Sequence, residues 1–411
     1  MLTIASLLCA RLSGGIAGIM TIGHCAAVAI PETSAQTPDA SAYPTADATL
    51  GEVLFPNESS MAEQISLAIE DTIRRDYAPG SARRDAHPKA HGCVKAEFAV
   101  AASLPKSLVH GVFIPGTTYS AWIRFSNGNK DATRADIKGD ARGMAIKLLD
   151  VPGKKLLDAV DQATTQDFIL ISHPVFFAND PNRYLSLIRD GSSGGVFATL
   201  RIPFDLGFRG LMIARKTASK TISNPLQTRY WSTVPYQLGV GDDRQAVKYS
   251  VRSCAATLDP IPKKPGNDYL RGALRASLET GDACMEFLVQ PRTSPRMGVE
   301  DVMTEWDESD APSYPVASIR IPRQTFDTPE QNAFCEALSF NPWHALPAHK
   351  PLGVMNRLRK VIYERISQVR HAMNAVGMRS AIPLESATAL STASPPQAIA
   401  VPPRHGRIRS P

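Results

Sequence analysis

The stretch FNPWHALPAHKPLGVMNRLRKVIYERISQVR, residues 340–370, decides how this chain is read. Its first half is a proline-rich approach through Pro342, Pro347 and Pro351. Its second half has helical periodicity and predicts a helix from about Gly353 to Met373. Val354, Leu358, Val361, Ile362, Ile366 and Val369 make the apolar side, and Arg359, Tyr363 and Arg370 lie beside it. At about 100° per residue, positions 363 and 370 fall about 40° and 20° from position 359. Three polar side chains therefore project along one narrow line. An isolated R-x-x-x-Y reads as a solvated edge with a cation–π pair. The functional reading is a phenolate held on a ferric ion. A phenol ionises near pH ~10, so such a ligand needs a cation beside it at neutral pH. Arg359, one turn earlier, can supply that charge and a hydrogen bond. Arg370, two turns later, can meet a carboxylate.

Upstream, Ser59–Arg75 predicts a helix, followed by an Arg/His-rich connector over Ala82–Gly92. Strand-like runs follow at Cys93–Ala101, Tyr119–Ser126, Gly143–Leu149 and Asp167–Ser172. Helical patterns cover Pro181–Arg189 and 205–217. Strands return at Arg229–Leu238, Ala246–Ser253, Cys284–Gln290 and Val316–Ile321, and Asp327–Leu338 predicts a short helix. Many strands with helices grouped between and after them indicate an α+β protein built on an antiparallel β-barrel.

Phe340-Asn341-Pro342, Pro347, Pro351, Arg359 and Tyr363 resemble the segment that leads to the proximal iron ligand of haem catalases. Tyrosine as a haem ligand is itself a mark of catalase. Other segments follow in matching order. Arg84-Asp85-Ala86-His87-Pro88-Lys89, with Gly92 and Phe98, resembles the family's distal segment, and Arg124-Phe125-Ser126 resembles its R-F-S signature. Asp140–Lys147 (DARGMAIK) resembles D-P-R-G-F-A-x-K. Pro174–Phe177 with Asp180, Pro181 and Tyr184 resembles P-x-F-F and the ring over the haem. Asp301, Trp306, Pro315 and Val316 resemble the segment before a late barrel strand. The similarity runs from Arg84 to Arg370 and is closest to the short catalase-related haem proteins, a group that includes catalase-like peroxidases and allene oxide synthases.

The resemblance implies haem b, a ferric iron protoporphyrin, with Tyr363 as the metal ligand and His87 and Ser126 as catalytic residues. His87 would move the proton as the O–O bond breaks, and Ser126 would fix its tautomer. His91 is the competing imidazole, read as a surface or core residue. A zinc pair of His87 and His91 would want a third partner. Arg84, Arg124 and Arg370 would meet the propionates, and Phe176, Tyr184, Met355 and Arg359 complete the implied cofactor-binding set. Read alone, each of these would be an ordinary surface charge, core aromatic or core methionine.

Two departures bear on the substrate. Ile171 stands where catalases place an asparagine three residues before the proline of P-x-F-F, and Ala86 is smaller than the usual residue before His87. Both favour a wider, more apolar pocket. His173 would offset Ile171 if it turned inward. The expected function is peroxide cleavage by a catalase-like peroxidase acting on hydrogen peroxide or an organic hydroperoxide. The alternatives are a fatty-acid hydroperoxide isomerase or lyase and a non-catalytic haem- or lipid-binding barrel.

Length and composition fit this organisation. The chain has 411 residues, 43% of them apolar and 20% charged, which excludes wholesale disorder and a polytopic membrane bundle. Its net charge is +6, but Arg379, Arg404, Arg407 and Arg409 against Glu385 put +3 of that on the tail. No dense basic face argues for nucleic acid. Residues 12–30 form an apolar run ending in an A-x-A pattern, which reads as a signal peptide over 1–29 and a periplasmic or secreted protein, the alternative being cytoplasmic. Residues 30–50 read as a disordered linker, 51–378 as the catalase-like haem domain and 379–411 as a disordered tail. The long helical C-terminal part of full catalases and a stable membrane span are not expected; a homo-oligomer is compatible. Cys93, Cys254, Cys284 and Cys335 read as buried thiols, although export would permit disulfides of unspecified pairing.

Overall fold

The computed structural model describes residues 43–157, 164–193 and 195–374. The expected signal peptide and C-terminal tail lie outside them. The chain runs α1 (Glu58–Asp76), β1 (Ala90–Val100), β2 (Thr118–Asn127), β3 (Arg142–Leu148), β4 (Gln166–Ile171), α2 (Pro181–Ser193) and α3 (Val196–Ala218). It continues through β5 (Tyr230–Trp231), β6 (Tyr236–Leu238), β7 (Gln245–Ser253), α4 (Tyr269–Thr280), β8 (Ala283–Pro291), β9 (Tyr314–Ile321), α5 (Pro329–Ala337) and α6 (Val354–Met373).

The strands form one antiparallel sheet in the order β5-β4-β3-β2-β1-β9-β8-β7-β6, and a further β5–β7 pairing closes eight of them into a barrel. The α+β barrel read from the sequence is the observed architecture. Alternation decides what fills it. Val94, Ala96 and Phe98 on β1, Ile123 and Phe125 on β2, Met144 and Ile146 on β3, and Phe168 and Leu170 on β4 all belong to the buried core. Phe98, Phe113, Phe168, Tyr249 and Phe287 stack there, Phe168 and Phe287 with centroids 4.8 Å apart. The intervening residues face outward, so Arg124 and Ser126 share the outer face of β2.

Several boundaries differ from expectation. The predicted strand 229–238 is two short strands, because Thr233 adopts φ 61 and Pro235 lacks an N–H. Helix α3 begins earlier than predicted and bends at Gly207 (φ 63, ψ 172). Helix α4 is an element the sequence reading missed. The end of the expected linker is ordered: Asp47 caps a short 3₁₀ turn and pairs with Arg244 at 2.8 Å, and Leu50 is buried. The four cysteines among the described residues are disulfide-bonded, not the buried thiols expected. Cys93–Cys335 joins β1 to α5, and Cys254–Cys284 joins the end of β7 to β8.

A fully buried arginine anchors α6. Arg357 meets Glu52 (2.5 Å), Glu58 (2.7 Å) and Glu300 (3.2 Å), tying the helix to the N-terminal segment, α1 and the loop before β9. The proline-rich approach is fixed at its other end. Asp167 on β4 pairs with buried Lys147 at 2.7 Å and accepts from the Asn341 N–H at 2.9 Å; His344 Nδ1 lies 3.0 Å away.

Candidate functional site

His87 stands before β1 with φ 63, an uncommon conformation for a residue with a Cβ. Two contacts hold it: Arg124 Nη2 donates to its carbonyl at 2.9 Å, and its N–H reaches the Gly128 carbonyl at 3.4 Å. Its ring lies on the outer face of the barrel, with Nδ1 3.0 Å from Ser126 Oγ. Gly143 makes room for it. A Cβ at that position would fall 2.5 Å from His87 Nδ1 and 2.7 Å from Ser126 Oγ. Burial pulls the His87 pKa down to about 3, helped by the charges of Arg124, Arg359 and Arg84. The imidazole is therefore neutral at ordinary pH.

The register extends this surface. Ser126 opposes Gly143, Gly143 opposes Ile171, and Ile171 opposes Trp231. Directly opposed residues of antiparallel strands share a face, so Ile171 stands beside the glycine under the His87 ring. His173 does not join it. Its Nδ1 lies 3.2 Å from the Val175 carbonyl, and the cations that lower its pKa after burial are Lys216 and Lys220. His91 is a core residue, with Nε2 2.8 Å from Asn127 Oδ1, while Asn127 Nδ2 donates to Asp136 at 2.8 Å. Ala86 is exposed.

On α6, Arg359 Nη2 donates to Tyr363 Oη at 3.1 Å, and the guanidinium lies 5.0 Å from the ring centroid. Nη1 donates to Asn356 Oδ1 at 3.1 Å. Asn356 is itself fixed, because its amide donates to the Pro235 and Leu352 carbonyls at 2.9 and 3.1 Å. Burial disfavours the Arg359 charge, but Tyr363 and Tyr236 outweigh it and raise the pKa. Tyr184 on α2 packs with Phe176 and Phe177, at centroid distances of 6.0 and 6.5 Å. Burial raises its pKa, with Asp85 and Tyr363 adding to the effect. His87, Tyr184, Arg359 and Tyr363 thus lie within one electrostatic neighbourhood. Met355 is buried in the main core cluster with Leu358 and Ile362, against which Phe176, Tyr184 and Tyr363 also pack.

The remaining arginines converge on the C-terminal end of α5. Arg84 Nη1 pairs with Glu336 at 2.8 Å, and its Nη2 donates to the Leu338 carbonyl at 2.5 Å. Arg370 donates to the Glu336 and Leu338 carbonyls, and Arg124 Nη2 lies 3.6 Å from the Glu336 carboxylate. Burial and the charge of Arg84 pull Arg124 and Arg370 down to about 9. Burial opposes the Glu336 charge, but Arg84, Arg124 and Arg370 outweigh it and hold its carboxyl below the usual range. Two guanidiniums, Arg84 and Arg124, therefore share one carboxylate, Arg370 holds the backbone beside it, and Arg124 Nε is buried without a hydrogen-bond partner.

No family model and no curated protein matches the sequence. Solved structures do. A fungal catalase superposes with a TM-score of 0.53 at 16% identity, over 74% of this chain and 62% of its own. Catalase A from Saccharomyces cerevisiae gives 0.53 at 17%, over 76% and 65%. A bacterial catalase gives 0.52 at 17%, over 82% and 65%. The fold is the catalase fold. This chain spans less than two thirds of the length of each of those catalases.

Of the residues named from the sequence, the structure brings His87 to Ser126, Arg359 to Tyr363, and Arg84, Arg124 and Arg370 to the end of α5. The sequence assigns no role to Glu336 or Asn356, nor to Gly143 within DARGMAIK. The asparagine carried a local signal, since it lies three residues before Arg359 on the same helix. The other two become legible only when distant strands and helices meet.

Proposed function

We propose that the chain is a haem-dependent enzyme that cleaves the O–O bond of peroxides. The observation that carries this reading is the pairing of Arg359 with Tyr363 in the same neighbourhood as a neutral His87 held by Ser126. The donor set suits haem b. Tyr363 would hold the iron, with Arg359 donating to its oxygen. Arg84, Arg124 and Arg370 carry more positive charge than Glu336 balances, which suits two propionates. Tyr184 and Phe176 would wall the macrocycle. When bound, haem supplies the iron at which a peroxide is cleaved. The protein's own part is proton handling. With Nδ1 engaged by Ser126, His87 Nε2 is the nitrogen that takes a proton from one peroxide oxygen and returns it to the other. Buried neighbours keep it neutral and ready to accept.

Ile171 favours an organic hydroperoxide over hydrogen peroxide. In the row beside His87 it offers methyl groups and no hydrogen-bond donor, so an alkyl chain gains where a small polar peroxide does not. A fatty-acid hydroperoxide isomerase or lyase is the second reading on this observation. Two disulfides support an exported protein in an oxidising compartment.

The deciding experiment titrates the purified protein with haemin and follows the absorbance band, then mixes the complex rapidly with hydrogen peroxide and with a fatty-acid hydroperoxide. Saturable uptake, a band altered in Tyr363→Phe, and faster reaction with the lipid peroxide are expected. Absence of uptake, or an unchanged band in Tyr363→Phe, would overturn the proposal. Oxygen evolution from hydrogen peroxide with no reaction of the lipid peroxide would retain the haem reading and reject the preference.

A further inference from the structure

Helix α3 has the composition of a surface element turned inside out. Phe197, Phe204 and Phe208 are 84%, 81% and 83% exposed, and Leu200 and Met212 are exposed as well. The bend at Gly207 divides the helix into two halves. Within each half the exposed apolar residues fall inside an arc of about 60°. Fully exposed phenylalanines in a row are costly in water and mark a surface that another phase or partner covers.

The charges on the helix indicate which. Arg201, Arg215 and Lys216 are exposed among the apolar residues, Arg209 is exposed and paired with Asp301, and Asp205 is the helix's single acidic residue. A second copy docked about a two-fold axis would set these cations against themselves. An anionic lipid surface complements them, and it takes phenylalanine and leucine side chains at the depth of the headgroups. Among the described residues no helix is long and apolar enough to cross a bilayer, so α3 would lie along the interface. Beneath the bend is a cavity of about 330 Å³ whose lining includes Phe177 and Phe208 and sets Arg183 and Arg209 against Asp180 and Asp205. Phe177 stacks on Phe176 at 4.3 Å, so this face adjoins the aromatic wall of the candidate site.

We propose that α3 is an interfacial helix that seats this face of the protein on an anionic lipid membrane. The proposal is independent of the haem reading, because vesicle binding is measured without peroxide.

The test is co-sedimentation of the full chain with vesicles of phosphatidylcholine alone and of phosphatidylcholine with phosphatidylglycerol, at low and high salt. Binding to the anionic vesicles that weakens with salt is expected. F204D/F208D is expected to reduce the partition coefficient at least about tenfold. R201Q/R215Q/K216Q is expected to remove the preference for anionic lipid. Melting curves of both variants should match the parent, because the replaced side chains are exposed. Four results would overturn the proposal: no binding by the parent chain, equal binding to neutral vesicles, undiminished binding by F204D/F208D, or a dimer in sedimentation velocity that this variant dissolves. The third would assign binding to another segment, and the fourth would assign the face to a second copy.

Discussion

The His87 ring occupies space that Gly143 leaves open, and this makes a glycine as consequential as the histidine above it. Gly143→Ala should push the ring off Ser126 at a cost of about 1–3 kcal/mol in stability. Urea unfolding would measure that cost, and peroxide reactivity of the haem complex should fall with it. Glu336→Gln should act in the opposite sense on the cofactor. It leaves Arg84 and Arg124 without their shared carboxylate, removes the negative charge near Arg370, and lowers the stability of the haem-free chain by on the order of 1 kcal/mol, solvent screening included. Haemin should restore that loss, read as a larger melting-temperature gain in the variant than in the parent. Spacing along the chain reveals His87, Ser126, Arg359 and Tyr363, because each sits in a short local pattern. Gly143 lies within the DARGMAIK stretch, but that pattern gives it no role, since its contribution is a missing side chain. Glu336 meets Arg84 across 252 positions of sequence, a proximity that no local pattern encodes.

At the scale of elements, most strands and helices follow from periodicity, and the failures have definite causes. Helix α4 was passed over although Leu270, Leu274 and Leu278 recur at four-residue spacing and are fully buried. Its Gly272 and short length diluted the pattern. The division of β5 from β6 depends on one left-handed residue, Thr233, which propensity does not foresee. Position on an element also decides which charges matter. Arg357 and Arg359 are two residues apart on α6, yet one is the hub of three glutamates and the other touches the candidate iron ligand. Arg357→Ala would leave buried Glu58 without its cation, buried Glu52 with Lys350 alone and half-buried Glu300 unpaired, and cost about 3–5 kcal/mol. Limited proteolysis should then cut within residues 43–57 before the barrel unfolds. Reduction of Cys93–Cys335 should loosen α5 and with it the Glu336 carboxylate that Arg84 and Arg124 share. A melting temperature lowered by dithiothreitol, and lowered less in a Cys335→Ser chain, would show it.

The whole molecule should be most sensitive to acid. His87 and His349 are drawn down to about 3 and His91 to about 4, each chiefly by burial. Their ordinary value is 6.5. The unfolded chain therefore takes up protons that the folded one refuses, and stability falls as pH drops from about 6.5 toward 3. Glu336 acts in the same direction below the ordinary carboxylate range, where protonation removes its attraction to the arginines. The combined loss should reach a few kcal/mol by pH ~4, measurable as a falling urea midpoint. Above pH 6.5 these histidines are neutral in both states and contribute no slope.

The barrel's closure has a kinetic meaning as well. The ring is sealed through β5, a strand of two residues, and Trp231 within it is also the last member of the row Ser126–Gly143–Ile171–Trp231. The β5 pairings, Ile171 with Trp231 and Trp231 with Ser250, are nearer in the chain than the β1–β9 pairing of Glu97 with Arg320, and contacts between distant segments form late because the connecting chain must first be ordered. The row under His87 can form early, but His87 before β1 and Tyr363 on α6 after β9 come together only once the β1–β9 seam has closed. A refolding chain should acquire most of its secondary structure before it can bind haem, and the two signals should separate in time.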